Sequence, residues 1–270
     1  MTNFTCRGRT IWIMKKIIHL SDLHVGYGKC GARFRTIIDN ITSLKQPAKN
    51  YIVVITGDIV NNANRRKQID EAVDAVEQLE KRGYRVLVIP GNHDYGTGIK
   101  GSRKFVDLFK ERYYRSREIS YPKLDIIGRI AFIGLDSTAG ELHWHDGFFS
   151  EGELGRDQLK RLKKMLEDPK LAGRKKVVYL HHHPFDFKLA MQLKDSDGLR
   201  KIIENNIDAL LFGHYHADPV NPGKLFHGTW GIARCYNAGS STHKNGDVGY
   251  QWIIDLSKAD PGKDYDGNFI

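Results

Sequence analysis

Five short segments of this chain carry side chains able to bind metal ions. In order they are Asp22-Leu23-His24, Gly57-Asp58, Gly91-Asn92-His93-Asp94, His181-His182-His183-Pro184 and Gly213-His214-Tyr215-His216. Carboxylate, amide and imidazole donors together suit manganese, iron or zinc better than calcium, and no cysteine stands among them. A lone Asp-x-His or Gly-Asp says little. Gly-Asn-His-Asp is a rare tetrapeptide, and five such elements in order make coincidence a poor explanation. The bland alternative, histidines satisfied by carbonyls in turns and core, would have to hold at every one of them. Glycines before Asp58, Asn92 and His214 permit tight turns and close backbone approach.

The positions of these segments depend on what precedes them. Residues 16–20, 51–55, 85–89, 176–180 and 209–212 read as buried strands, apolar and ended by turn residues. Residues 33–44 and 68–82 carry apolar side chains at helical spacing, with Gly83 as a C-cap. This β-α-β-α-β order implies right-handed crossovers and a largely parallel sheet. The carboxyl ends of such strands form a crevice, where the five donor segments would converge. Residues 105–113, 154–166 and 198–205 read as further helices. Residues 124–127 and 130–135 read as a hairpin around Gly128-Arg129. After His216 only strands are expected, at 231–236 and 250–255, and a second sheet packed on the first would bury them. Within the triple histidine, alternation along an extended chain turns His182 away from His181 and His183.

In these elements the chain resembles the calcineurin-like metallophosphoesterase superfamily. The family pattern is Asp-x-His, Gly-Asp, Gly-Asn-His-Asp/Glu, His and Gly-His-x-His, and the match runs from Asp22 to His216. It looks most like the bacterial cyclic-nucleotide phosphodiesterase group. The Gly-Asp-x-x-Asp-Arg-Gly element of protein phosphatases is missing, since Ile59-Val60-Asn61-Asn62 follows Asp58. The Gly-Asn-Arg-Asp variant of lipid A-pathway hydrolases is absent as well.

The resemblance implies an α/β fold, a four-layer α-β-β-α sandwich of two packed mixed sheets. It also implies two divalent or trivalent metal ions bridged by a carboxylate, Mn or Fe first and Zn next. Carried over, Asp22, His24 and His216 would hold one ion, Asn92, His182 and His214 the other, and Asp58 both. The family writes its fourth element as His-x-Pro, which picks His182. His181 would then pack behind the strand, and His183 would line the pocket rim. Two ions about 3.5–4 Å apart can hold a hydroxide and clamp phosphoryl oxygens during in-line displacement. The family's equivalent of His93 touches the phosphate and can protonate the leaving oxygen, a role imidazole suits near pH 7. The expected catalytic residues are thus His93 as acid, Asn92 orienting phosphate, and Asp58. Asp94 would fix the turn or the His93 tautomer.

Substrate choice falls to loops outside the motifs. Residues 96–103 combine three glycines with Lys100 and Arg103, which could cover an anion or simply be solvated. Residues 141–149 hold His143, Trp144, His145, Phe148 and Phe149, and residues 223–231 hold Phe226, His227 and Trp230. Such side chains stack on a nucleobase or aryl group, or pack beneath a loop. The candidate substrate contacts are His183, His143, His145, Lys100 and Arg103. Residues 237–240, Asn-Ala-Gly-Ser, resemble a family turn and read as structural.

The 270 residues include 42 Lys and Arg against 32 Asp and Glu, a formal charge of +10, with 40% hydrophobic residues. That mix excludes an integral membrane protein and does not suit a disordered or collagen-like chain. The length suits one large domain or two small ones, and with no internal repeat or Pro/Ser-rich linker a single domain is expected. The charge welcomes anions without choosing among nucleotide, nucleic acid and acidic lipid. Basic clusters at 65–67, 103–104, 160–164 and 174–176 read mainly as solvated faces. Cys6, Cys30 and Cys235 offer neither a disulfide framework nor a metal knuckle, a pattern that fits the cytoplasm. The apolar stretch 11–20, broken by Lys15 and Lys16, is too short to span a bilayer. The expected layout is an extension over 1–13 without function, a phosphoesterase domain over 14–258, and a polar tail over 259–270. The expected activity is hydrolysis of phosphate esters, most simply diesters, with nucleotides among the substrates. A metal-dependent nuclease is the nearest rival. A catalytically silent binding protein is the rival from another class, though no element of the ligand pattern is missing.

Overall fold

The computed structural model describes residues 4–6, 9–11, 15–138, 151–185, 192–216, 225–242, 250–261 and 265–267. A short antiparallel hairpin, β1 (Phe4–Cys6) and β2 (Arg9–Ile11), joins neither main sheet. Then follow β3 (Lys16–Leu20), α1 (Cys30–Thr42), β4 (Tyr51–Thr56), α2 (Arg66–Lys81), β5 (Arg85–Ile89) and α3 (Arg103–Tyr114). The second half supplies β6 (Lys123–Ile127), β7 (Ile130–Gly134), α4 (Arg156–Leu166), β8 (Lys175–Tyr179), α5 (Ser196–Ile203) and β9 (Ala209–Phe212). Last come β10 (Arg234–Asn237), β11 (Trp252–Ile254) and β12 (Tyr265–Gly267).

Two five-stranded sheets result, in the orders β12-β11-β3-β4-β5 and β10-β9-β8-β7-β6. In the first, β3, β4 and β5 run parallel and β11 antiparallel to β3. In the second, β7 to β10 run parallel and β6 closes the edge as half of a hairpin. All six residues of β4 are buried, because both faces of its sheet are covered. Alternation sends Val53 and Ile55 toward helices α1 and α2. Ile52 and Val54 point the other way and meet Phe132, Val177, Tyr179 and Leu211 of the opposite sheet. Behind that sheet, Ala131, Ile133, Val178 and Leu210 pack on Leu162, Leu166, Leu199 and Ile203 of α4 and α5. Three apolar layers thus separate helix, sheet, sheet and helix: the four-layer α-β-β-α sandwich.

The late strands do not form a sheet of their own. β10 extends the second sheet beside β9, whereas β11 inserts beside β3 in the first. The strand expected over 231–236 begins only at Arg234, because Thr229–Gly231 is a 3-10 turn with Trp230 at φ 54°. The helix expected over 198–205 lies two residues earlier, at Ser196–Ile203. Three residues of the polar tail, Tyr265–Gly267, add an edge strand to β11. No helix among the described residues is long and apolar enough to cross a membrane. The basic clusters at 65–67 and 103–104 are exposed, as solvated faces should be.

Candidate metal centre

Four strands deliver their donors with the same step. Asp22, Asp58, His181 and His214 each stand two residues beyond the last residue of β3, β4, β8 and β9. Asn92 stands three beyond β5, in a single 3-10 turn over Asn92–Tyr95. Because β3, β4 and β5 are parallel, and β8 and β9 likewise, all five arrive at one end of the sandwich. The chain is bent sharply there. Among the described residues seven non-glycines have positive φ, and four are Asp22 (51°), His24 (43°), Asp58 (51°) and His214 (69°). Such backbone is uncommon outside glycine, though Asp and His adopt it more readily than most, and it clusters at functional sites. At Gly57 (φ +91°) a β-carbon would come within 2.7 Å of His181 Nδ1, so glycine is the residue that fits.

The loops are tied to one another by backbone. Asp22 N–H donates to the Gly57 carbonyl at 3.0 Å, and His24 N–H to the Asp58 carbonyl at 2.9 Å. His214 N–H reaches across to Asp22 Oδ2 at 2.9 Å, and the Ser21 hydroxyl donates to the same oxygen at 2.5 Å. Two donor clusters result. In the first, His216 Nε2 lies 2.7 Å from Asp22 Oδ1 and 2.9 Å from His24 Nε2, which is itself 3.7 Å from Asp58 Oδ2. In the second, His181 Nε2 lies 3.2 Å from Asn92 Oδ1, 3.1 Å from His214 Nδ1 and 3.5 Å from Asp58 Oδ1. The Asp58 carboxylate therefore places one oxygen in each cluster.

This arrangement corrects the reading of the triple histidine. His181 does not pack behind its strand; it faces the centre, with Nδ1 donating to the Thr56 carbonyl at 2.7 Å. Strand β8 ends at Tyr179, so the alternation used to orient residues 181–183 does not extend to them. His182 comes to the same place, its ring centroid 4.4 Å from that of His214 and its Nδ1 2.8 Å from the Ser137 hydroxyl. One ring nitrogen each from His181, His182 and His214 lies within 4.8 Å of the others. His183 leaves the rim. It is buried against Phe212 and Phe226, with ring centroids at 4.6 and 4.8 Å.

His93 is half-buried beside the clusters, its Nε2 4.0 Å from Asp58 Oδ2 and its Nδ1 2.6 Å from the Asn61 carbonyl. Nδ1 must therefore donate, and the tautomer is set by Asn61 rather than by Asp94. Asp94 fixes the turn: its carboxylate accepts the amides of Ile59, Val60 and Gly91. Burial, then the neighbouring Asp58 charge, pushes that carboxyl up to about 7 despite these donors. Lys100 and Arg103 are exposed. His143 and His145 lie outside the described residues.

Residues that sequence reasoning passed over include Ser21, Asn61 and Ser137, whose contributions are a hydroxyl or a backbone carbonyl that no motif spells out. The two-residue step appears only with the observed strand ends, Thr56 and Tyr179; counted from residues 55 and 180 it points to Gly57 and His182 instead.

The donor set fits cations. Ring nitrogens face ring nitrogens at 2.9 and 3.1 Å, with room for at most one proton between each pair. Burial and then His182 and His181 push His214 well below the usual histidine range, so its ring is neutral. Its Nε2 is buried and has no hydrogen-bond partner among the described residues. Burial opposes ionisation of Asp22, yet His216 and His181 hold it below the usual carboxylate range. Anionic Asp22 and neutral His214 are in the protonation states that metal ions require. Burial opposes it, yet the Asp58 and Asp22 charges hold His181 above the usual histidine range, and a bound ion would displace its proton.

The sequence profile described as calcineurin-like phosphoesterase matches residues 15–218, most of the chain. The chain belongs to that family. This phosphoesterase is therefore a hydrolase of phosphate esters, in a family that uses divalent metal ions. It is 28% identical over 217 residues to a probable cyclic nucleotide phosphodiesterase of Coxiella burnetii, covering 75% of this chain and 76% of that one. It is also 28% identical over 219 residues to a probable glycerophosphodiester phosphodiesterase of Arcobacter nitrofigilis, covering 74% and 71%. A calcineurin-like phosphoesterase of Bacillus subtilis shares the fold, with TM-score 0.50 and 13% identity over 94% of this chain and 89% of that one.

Proposed function

We propose that this phosphoesterase is a binuclear phosphodiesterase of small diesters, nucleotides among them. The single observation that carries the two-ion reading is Asp58, with one oxygen in each donor cluster. The diester preference is supported by the names of the two curated relatives. Asp22, His24 and His216 would hold one ion, Asn92, His181 and His214 the other, and Asp58 both. Manganese or iron suits this mixture of oxygen and imidazole, with zinc next. Bound ions would supply Lewis acidity for the phosphoryl charge and a water made nucleophilic near neutral pH. His93 serves the leaving group. Protonated, it donates from Nε2 to the departing oxygen and returns to the Nδ1–H tautomer that Asn61 holds. The free, buried thiols of Cys30 and Cys235 fit a reducing compartment, and we place the protein in the cytoplasm.

A manganese-supplemented panel tests this reading. It comprises a phosphomonoester, an aryl phosphodiester, 2′,3′- and 3′,5′-cyclic nucleotides, and single- and double-stranded DNA. The expected result is highest kcat/KM on a small diester, with about two manganese ions per chain. A preference for monoesters would overturn the diester reading, a preference for DNA would make the protein a nuclease, and metal-free, inactive protein would end both.

His181 takes the ligand place here because its Nε2 points at Asn92 and Asp58 while Thr56 anchors its other nitrogen, the arrangement typical of metal-bound imidazole. His182 Nδ1 instead shares a 2.8 Å hydrogen bond with the Ser137 hydroxyl, which also accepts the His182 amide at 3.3 Å. His181→Ala is therefore expected to lose one of the two ions and at least about 100-fold in turnover. His182→Ala should keep both ions and lose about 10-fold, as for a supporting residue. Metal analysis with steady-state kinetics of the two variants decides; the reverse ranking would restore His182 as ligand.

A further inference from the structure

The turn over residues 96–101 follows Gly-Asn-His-Asp directly and closes on itself. Gly96 and Gly101 form an antiparallel bridge, and Thr97 N–H donates to the Lys100 carbonyl at 2.9 Å. The Thr97 hydroxyl accepts the Lys100 amide at 3.0 Å. Thr97, Ile99 and Lys100 are exposed, but Gly98 between them is buried. Its carbonyl accepts a hydrogen bond from Asn92 Nδ2 at 2.8 Å. That bond decides which end of the Asn92 amide faces the centre, leaving Oδ1 on His181 Nε2. The α-carbon of the same residue lies against the His93 ring. A β-carbon at Gly98 would sit 2.2 Å from His93 Nε2 and 2.4 Å from Cε1, and φ there is +86°. One backbone unit therefore touches both residues of the Asn92-His93 pair, while Asn61 fixes the far side of the imidazole.

We propose that Gly98 is a positioning residue: the 96–101 turn is a clamp that sets the Asn92 amide with a carbonyl and the His93 ring with a bare α-carbon. The proposal rests on the roles given above to Asn92 and His93. An amide that can flip presents nitrogen to a cation half the time, and an imidazole free to swing spends little time in line with a leaving oxygen. Misplacement of a reacting group by about 1 Å is enough to cost about 100-fold.

The test is Gly98→Ala in the full chain, compared with Thr97→Val, which removes the hydroxyl bracing the turn but leaves Gly98 bare. For Gly98→Ala on an alkyl phosphodiester at saturating manganese, kcat should fall about 100-fold with KM within about threefold. Its affinity for the second manganese ion should fall about 10-fold, read by titration calorimetry without substrate. Thr97→Val should lower kcat about threefold to tenfold, again with KM held. A folded Gly98→Ala protein with wild-type kcat and manganese affinity would overturn the clamp. If Gly98→Ala fails to fold, wild-type kcat in Thr97→Val overturns it and a reduced kcat supports it. Should the wild type hydrolyse no diester, the phosphodiesterase reading falls, and the manganese affinities still decide the clamp.

Discussion

Asp58→Asn is expected to lose at least about 1,000-fold in turnover and to bind fewer than two manganese ions per chain. The substitution keeps the shape of the side chain. It also keeps an oxygen able to accept the His93 backbone N–H, a bond of 2.9 Å in the wild type. What it removes is the negative charge that both clusters share, with one oxygen 3.7 Å from His24 Nε2 and the other 3.5 Å from His181 Nε2. An amide offers only one good acceptor, so at best one cluster retains a ligand from this position. The side chain is buried, and water cannot substitute freely for the lost charge. Metal analysis and kcat on an aryl diester check the prediction together. Two ions retained and activity within tenfold of wild type would remove Asp58 from the bridging position.

The second large effect belongs to His93. His93→Ala should keep about two manganese ions, because its ring contributes to neither cluster, yet lose about 100- to 10,000-fold in kcat on an unactivated alkyl diester. With a nitrophenyl leaving group, which departs without a proton, the loss should shrink by at least about tenfold. That contrast separates proton donation from a general disturbance of the site, which would slow both substrates alike. Unchanged turnover on the alkyl ester would sink the acid role. Because His93 packs on Gly98 and is fixed through Asn61, ring removal also frees the 96–101 turn. His93→Gln, which keeps a polar group of similar reach, therefore belongs beside it as a control.

Much of this centre was legible before any coordinates. Strands β3, β5 and β9 fall at the expected residues because each is a short apolar run cut off by turn residues, a pattern local to the chain. Asp22, His24, Asp58, Asn92, His182, His214 and His216 gather at one place because parallel strands bring their carboxyl ends together. The failures have physical causes of one kind. His181 was misplaced by extending strand alternation past Tyr179, where the backbone has already left the sheet. His183 was placed at the rim because nothing in the sequence says that Phe212 and Phe226 converge on it. The destination of β11 depended on which sheet edge was vacant, a property of the assembled fold rather than of residues 250–255. Of the two roles expected of Asp94 it serves the turn, while the carbonyl that sets the His93 tautomer belongs to Asn61, 32 residues away.

The insertion of β11 beside β3 also governs when the centre can exist. Ser21 N–H donates to the Ser241 hydroxyl at 3.0 Å, the Ser240 hydroxyl donates to the Asp22 carbonyl at 2.9 Å, and the Thr242 hydroxyl to the Leu23 carbonyl at 2.8 Å. These contacts close loops of 218 to 220 residues. Asp22 and its neighbours, near the start of the first sheet, are thus held by Ser240, Ser241 and Thr242, and β11 docks just beyond them. Long loop closures come late and slowly in folding. A nascent chain carries all five motifs well before it can shape the first of them, so its histidines are exposed to ions before they are ordered by them. The first donor loop is then shaped late in folding, once residues 240–242 and β11 have joined it.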